Sequence, residues 1–153
     1  MNLSKASFLA LAAIGWVDGS LQKPEATGLL RAAKEAGVTG ADLAEVEKAT
    51  QNKIALDAVD VSGLSTWDQV VTYALASWLA SVDGVVSSDE HESLGKLGDK
   101  LGLDKALRTR AATAANDIAC LPEGGRPERF DFQKLIARLK EKLPQVASPR
   151  AAT

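Results

Sequence analysis

The sequence predicts an all-α fold: a single-domain bundle of six or seven helices, arranged as two pseudo-symmetric helix-turn-helix halves. Two observations carry the prediction. Every apolar pattern in the 153 residues recurs at helical spacing, and alternating strand patterns are absent. The chain also repeats itself at an offset of 65 residues, which pairs Val17-Asp18-Gly19 with Val82-Asp83-Gly84, Glu25 with Glu90, Leu29 with Leu94 and Gly37 with Gly102. Six of the 22 positions from Val17 to Val38 are identical, and apolar character matches at Phe8 and Tyr73, Ile14 and Leu79, Leu21 and Val86, and Val38 and Leu103. Both copies spell helix, Asp-Gly turn, helix, glycine stop.

The first helix runs from about Ser4 to Val17, with Phe8, Leu11 and Ile14 at helical spacing, and Asp18-Gly19 ends it because glycine accepts the left-handed conformation at a helix terminus. The second begins around Pro24, whose fixed φ suits the first helical turn, and stops at Gly37. Thr39 with Asp42 forms a weak capping box for a third helix that carries Leu43 and Val46 inward. Asn52 to Leu64 has the least regular pattern and reads as a short helical turn plus loop.

Ser65-Thr66-Trp67-Asp68 is a stronger capping signal and opens a long helix to about Val82, with Val71, Leu75, Trp78 and Leu79 near one face. Ser87 to Leu101 follows, and Asp104 then caps a helix to about Ala119, where Leu107, Ala111, Ala114 and Ile118 make a narrow stripe. Pro122 to Pro127 is a loop. Phe132, Leu135, Ile136, Leu139 and Leu143 share one face of a final helix, which Pro144 ends. One domain over 1–146 holds repeat copies at 4–38 and 69–103, and 147–153 is a flexible tail.

Composition narrows the function. Eighteen Lys and Arg against twenty Asp and Glu leave a net charge of −2, without the basic footprint of a nucleic-acid binder. A single cysteine, Cys120, and a single histidine, His91, supply neither a disulfide nor a Cys/His zinc site, which fits a cytoplasmic setting. Ser7 to Val17 resembles a secretion signal, down to an Ala10-Leu11-Ala12 triplet. The second copy has the same small and apolar character in mid-chain, where no signal can stand. The stretch is therefore expected to be a packed helix, with Phe8 and Ile14 buried like Tyr73 and Leu79. Trp16, Trp67 and Trp78 are expected in the core.

The candidate chemistry sits in the two Asp-Gly turns. Each copy reads Asp-Gly-x-φ-x-x-x-Glu, with Leu21 or Val86 at φ, which is the second half of an EF-hand calcium loop. The first half is missing: Ile14 and Trp16, and Leu79 and Ser81, stand where oxygen ligands belong, so a true EF-hand is excluded. A hard cation shared between carboxylates of both copies stays open. So does a purely structural role, in which Glu90 closes a capping box with Ser87 and Asp-Gly is turn chemistry.

Ala80 to Glu90, with Leu101-Gly102-Leu103-Asp104 behind it and the weaker copy at Trp16 to Val38, is similar to the TerB-like family named for tellurite resistance. The resemblance spans roughly residues 4 to 143. It implies an all-helical domain of two pseudo-symmetric halves with no established catalytic activity. It also implies divalent-metal binding at acidic turns, which places Asp18, Glu25, Asp83 and Glu90 as candidate ligands of weakly held Ca2+ or Mg2+. Lys23-Pro24 puts a positive charge beside the first turn. Action through protein contacts in a bacterial stress or envelope-associated pathway follows from the same likeness. The alternative is a metal-free interaction domain.

No nucleophile-and-base pair or phosphate-binding glycine loop occurs, so an enzyme is not expected. Charge is uneven: residues 1 to 103 carry 8 basic and 14 acidic side chains, whereas 104 to 153 carry 10 and 6. The final helix adds Lys134, Arg138, Lys140 and Lys142, a pattern open to a membrane or protein partner but favoured as a core helix with a solvated basic back.

Overall fold

A computed structural model describes residues 5–16, 23–55, 59–60, 64–81, 88–119 and 132–142. Among them are seven helices and no strand: α1 (Lys5–Gly15), α2 (Lys23–Glu35), α3 (Gly40–Gln51), α4 (Thr66–Ser81), α5 (Ser88–Leu101), α6 (Lys105–Ala119) and α7 (Phe132–Lys142). The fold is therefore all-α, as the apolar periodicity predicts. No described helix is long and apolar enough to cross a membrane.

Helix α1 is apolar nearly all round, and Ser7, Phe8, Ala10, Leu11, Ala12, Ala13, Ile14 and Gly15 are all buried. A helix of that kind is stable only when surrounded. It packs against α2, α3, α4 and α5, while α4 packs against α1, α5 and α6, so α1 and α4 form the centre of the bundle. Leu29, Val46, Leu75, Trp78, Leu97, Ala111, Leu135 and Leu139 close one continuous core around them. Tyr73 is only half-buried, unlike its counterpart Phe8, and the side chain of Leu79 lies outside the described residues.

The helical repeat extends further than the sequence identity. Moving α3 by 65 residues lands its start on Lys105, the first residue of α6, so each half contains three helices. The junctions match bond for bond. Val38 N–H donates to Ala33 O at 3.0 Å and Gly37 N–H to Lys34 O at 3.1 Å; Leu103 N–H donates to Gly98 O at 3.0 Å and Gly102 N–H to Asp99 O at 3.1 Å. These paired bonds require a left-handed residue, and Gly37 and Gly102 supply it with φ of 89° and 73°. Ser7 and Thr72, counterparts 65 apart, hydrogen-bond to each other at 2.9 Å in the buried interior. Counterparts that touch are what a two-fold relation between halves produces at its axis.

Two sequence expectations come out differently, the Thr39 cap and the burial of the tryptophans. Thr39 makes no side-chain cap bond to α3. The first residue of that helix, Gly40, has φ of 61°, outside the right-handed backbone that aims an N-cap hydroxyl at the third amide. Asp42 is instead within 3.8 Å of Lys5, which also pairs with Glu45 at 3.0 Å. The described residues of 52–64 hold no helical turn, Val59 and Leu64 among them are buried, and the rest of the segment where a turn is expected, 56–58 and 61–63, lies outside the described residues. Of the tryptophans, Trp78 is fully buried, whereas Trp67 packs partly buried against the core and Trp16 is half-buried, its indole N–H donating to Ala49 O at 2.8 Å. Val17, Leu143 and the 147–153 tail lie outside the described residues.

Because Phe8 has no exposed surface and sits where α1 meets the rest of the core, Phe8→Ala is expected to cost about 3–5 kcal/mol. Chemical denaturation of wild type and variant measures this directly.

Candidate functional site

The turn residues Asp18 and Asp83 lie outside the described residues, as do the side chains of Glu25 and Glu90, although Glu25 belongs to α2 and Glu90 to α5. What is visible is the frame. Each turn links a central helix to an outer one, α1 to α2 and α4 to α5, with closely matched helix boundaries. Among the described residues no three His, Cys, Asp or Glu side chains gather as a metal site.

Elsewhere in the same chain, acidic residues at helix starts act as caps. Asp104 Oδ1 accepts from Leu107 N–H at 2.8 Å at the head of α6. At α4 the cap is reciprocal: Asp68 N–H donates to Ser65 Oγ at 3.2 Å, and the Asp68 carboxyl is hydrogen-bonded back to Ser65. Burial raises the Asp68 carboxyl above its ordinary value, and the bonds to Ser65 pull the other way.

The basic character of the C-terminal third is partly neutralised by partly exposed ion pairs. Arg138 lies 3.9 Å from Asp117 of α6 and 3.5 Å from Glu141, and Lys142 lies 3.8 Å from Asp117. The two contacts to Asp117 join α7 to α6, and the Glu141 pair lies within α7. Lys134 and Lys140 are exposed.

A groove that sequence reasoning did not identify opens between α4, α5 and α6. It has a volume of about 360 Å3 and is lined by Tyr73, Ser77, His91, Leu94, Gly95 and Asn116 among others. Tyr73/Ser77 and His91/Gly95 are i,i+4 pairs, so each pair stacks on one helix face. Leu94 is buried, while His91 and Asn116 are exposed at the rim. Burial pushes the Tyr73 phenol above its ordinary value, with Arg108 opposing. Ser77 Oγ is sealed from solvent and has no hydrogen-bond partner, a state that costs a hydroxyl about 1–3 kcal/mol. It makes no hydrogen bond to His91. The signal for this groove lay in comparing the two copies at positions that differ.

Two outcomes test the capping chemistry. Asp104→Ala is expected to lower stability by about 1 kcal/mol in denaturant titration. Asp68→Asn tests the buried carboxyl by pH. A folded-state value raised above the unfolded one makes the folded protein bind the proton more tightly, so this contribution to stability grows as pH falls and is lost as pH rises. Wild type should thus gain on Asp68→Asn in melting temperature between pH 7 and about pH 4.

No family model, curated protein or solved structure matches the chain.

Proposed function

We propose that this protein is a non-catalytic helical module of the TerB-like kind that acts through protein contacts and holds a divalent cation weakly at its acidic turns. The supporting observation is the duplicated frame, in which two Asp-Gly-x-φ-x-x-x-Glu segments join helix pairs of matching boundaries. Asp18 and Glu25, and Asp83 and Glu90, are the ligands in this reading, with Ca2+ or Mg2+ as the hard cation suited to oxygen donors. Lys23 beside the first turn makes the second copy the stronger. A cytoplasmic place in a bacterial stress pathway or one associated with the envelope belongs to the same proposal.

One observation favours a second reading, a metal-free interaction domain. Asp104 and Asp68 show that this chain uses carboxylates to cap helices, and Glu25 and Glu90 stand at equivalent early positions of α2 and α5.

Melting temperature in millimolar calcium separates the two. A cation that binds only the folded state adds roughly 2.7 kcal/mol at a hundredfold excess over Kd. The expected result is a calcium-dependent rise in wild type that Asp83→Asn largely removes and Asp18→Asn reduces less. Equal shifts in all three proteins show that the aspartates are not ligands, and no shift in any of them leaves the capping role.

A further inference from the structure

The second half differs from the first most tellingly at Gly95. Its counterpart is Leu30, which packs partly buried against the core. Glycine in a helix interior weakens the helix and needs a reason. Gly98, one turn on, lies under the Arg108 side chain, where a Cβ would come within 2.5 Å of Arg108 Nε and displace it. A Cβ on Gly95 would meet nothing within 4 Å, so packing within the described fold does not require the glycine. The space above it is the groove between α4, α5 and α6.

The groove's other differences point the same way. Ser77, His91 and Tyr73 stand where the first half has Ala12, Ala26 and Phe8. Relative to its twin, the second half has removed a bulky side chain and gained three hydrogen-bonding groups around the vacated volume. The buried Leu94 in its lining and its size of about 360 Å3 suit a compact organic molecule. No Lys, Arg, Asp or Glu is among the described lining residues, so a full ligand charge would lose hydration without a counter-charge. Ser77, Tyr73, His91 and Asn116 can all donate hydrogen bonds. Rotation of Ser77 about χ1 gives its unpartnered hydroxyl an acceptor as soon as one is present.

We propose that the groove over Gly95 is a binding site for a small uncharged organic molecule with an apolar body and a carbonyl-type acceptor, and that the first half lost or never had this site. The proposal is independent of the acidic turns.

Benzamide, benzoate and benzylamine share one shape and differ in charge, which makes them the probes. Titration of each into the full chain, followed by backbone amide and His91 imidazole NMR shifts, should show benzamide saturating in the millimolar range (on the order of 1 mM) at Gly95, His91 and Ser77, ahead of both ions. Ser77→Ala should weaken benzamide about fivefold, the equivalent of one neutral hydrogen bond. Gly95→Leu, which installs the first half's residue, should abolish the shifts while the far-ultraviolet spectrum stays helical. Should that variant fail to fold, Gly95→Ala, whose Cβ has open space, should keep the fold and weaken binding. Absence of benzamide shifts in the groove, equal response to all three probes, or undiminished binding in the folded Gly95 variants would overturn the proposal.

Discussion

The contact between α1 and α4 governs the rest of the structure. Both helices are rich in buried alanine, with Ala10, Ala12 and Ala13 on one and Ala74 and Ala76 on the other. Neither has a polar face broad enough to stand in water as an isolated helix. The Ser7–Thr72 hydrogen bond is the polar element of this contact, and Thr72 Oγ1 also donates to Asp68 O at 2.7 Å. A slip of one helix along the other would strand the Ser7 hydroxyl in an apolar interior, so the bond selects the register that apolar packing alone leaves loosely specified.

Around that shared centre the two halves have diverged in how they secure their outer helices. In the first, Lys5 reaches Asp42 and Glu45 of α3, and those carboxylates raise its ammonium above the ordinary lysine value, the Glu45 hydrogen bond most of all. In the second, the work falls to Arg108, which donates from Nε to Leu103 O at 2.8 Å and pairs with Asp99 at 2.8 Å. The counterpart of Arg108 is Leu43, and the counterpart of Lys5 is Val70. Duplication kept the backbone junctions, which depend on glycine, and exchanged the side-chain ties, which do not.

That division explains what was legible in the sequence. Helix existence followed from apolar period, and the α2 and α5 ends followed from Gly37 and Gly102, because a left-handed residue leaves one practical amino acid. The third helix of each half is legible on its own, but the repeat reads only to Val38 and Leu103, because the buried positions beyond it differ, Val46 against Ala111 and Thr50 against Ala115, and the charged face changed from acidic to basic. The failed Thr39 cap turns on the φ of Gly40, a backbone fact no residue pattern announces. The groove was hidden for a different reason. Attention to what the repeat shares passes over Leu30 and Gly95, and the site is written in what the repeat does not share.

The burial of α1 by α4 also bears on how the chain is made. During synthesis α1 emerges well before the helix that covers it, and about 66 residues separate Gly15 from Ser81. At 5–20 residues per second that gap lasts roughly 3–13 s. Helices α2 and α3 arrive within it and cover part of α1, but the part that packs against α4 waits for the second half. Throughout that interval the nascent chain presents a compact apolar surface to the ribosome exit and to whatever factors attend it there, and the duplicated architecture itself sets the length of the exposure.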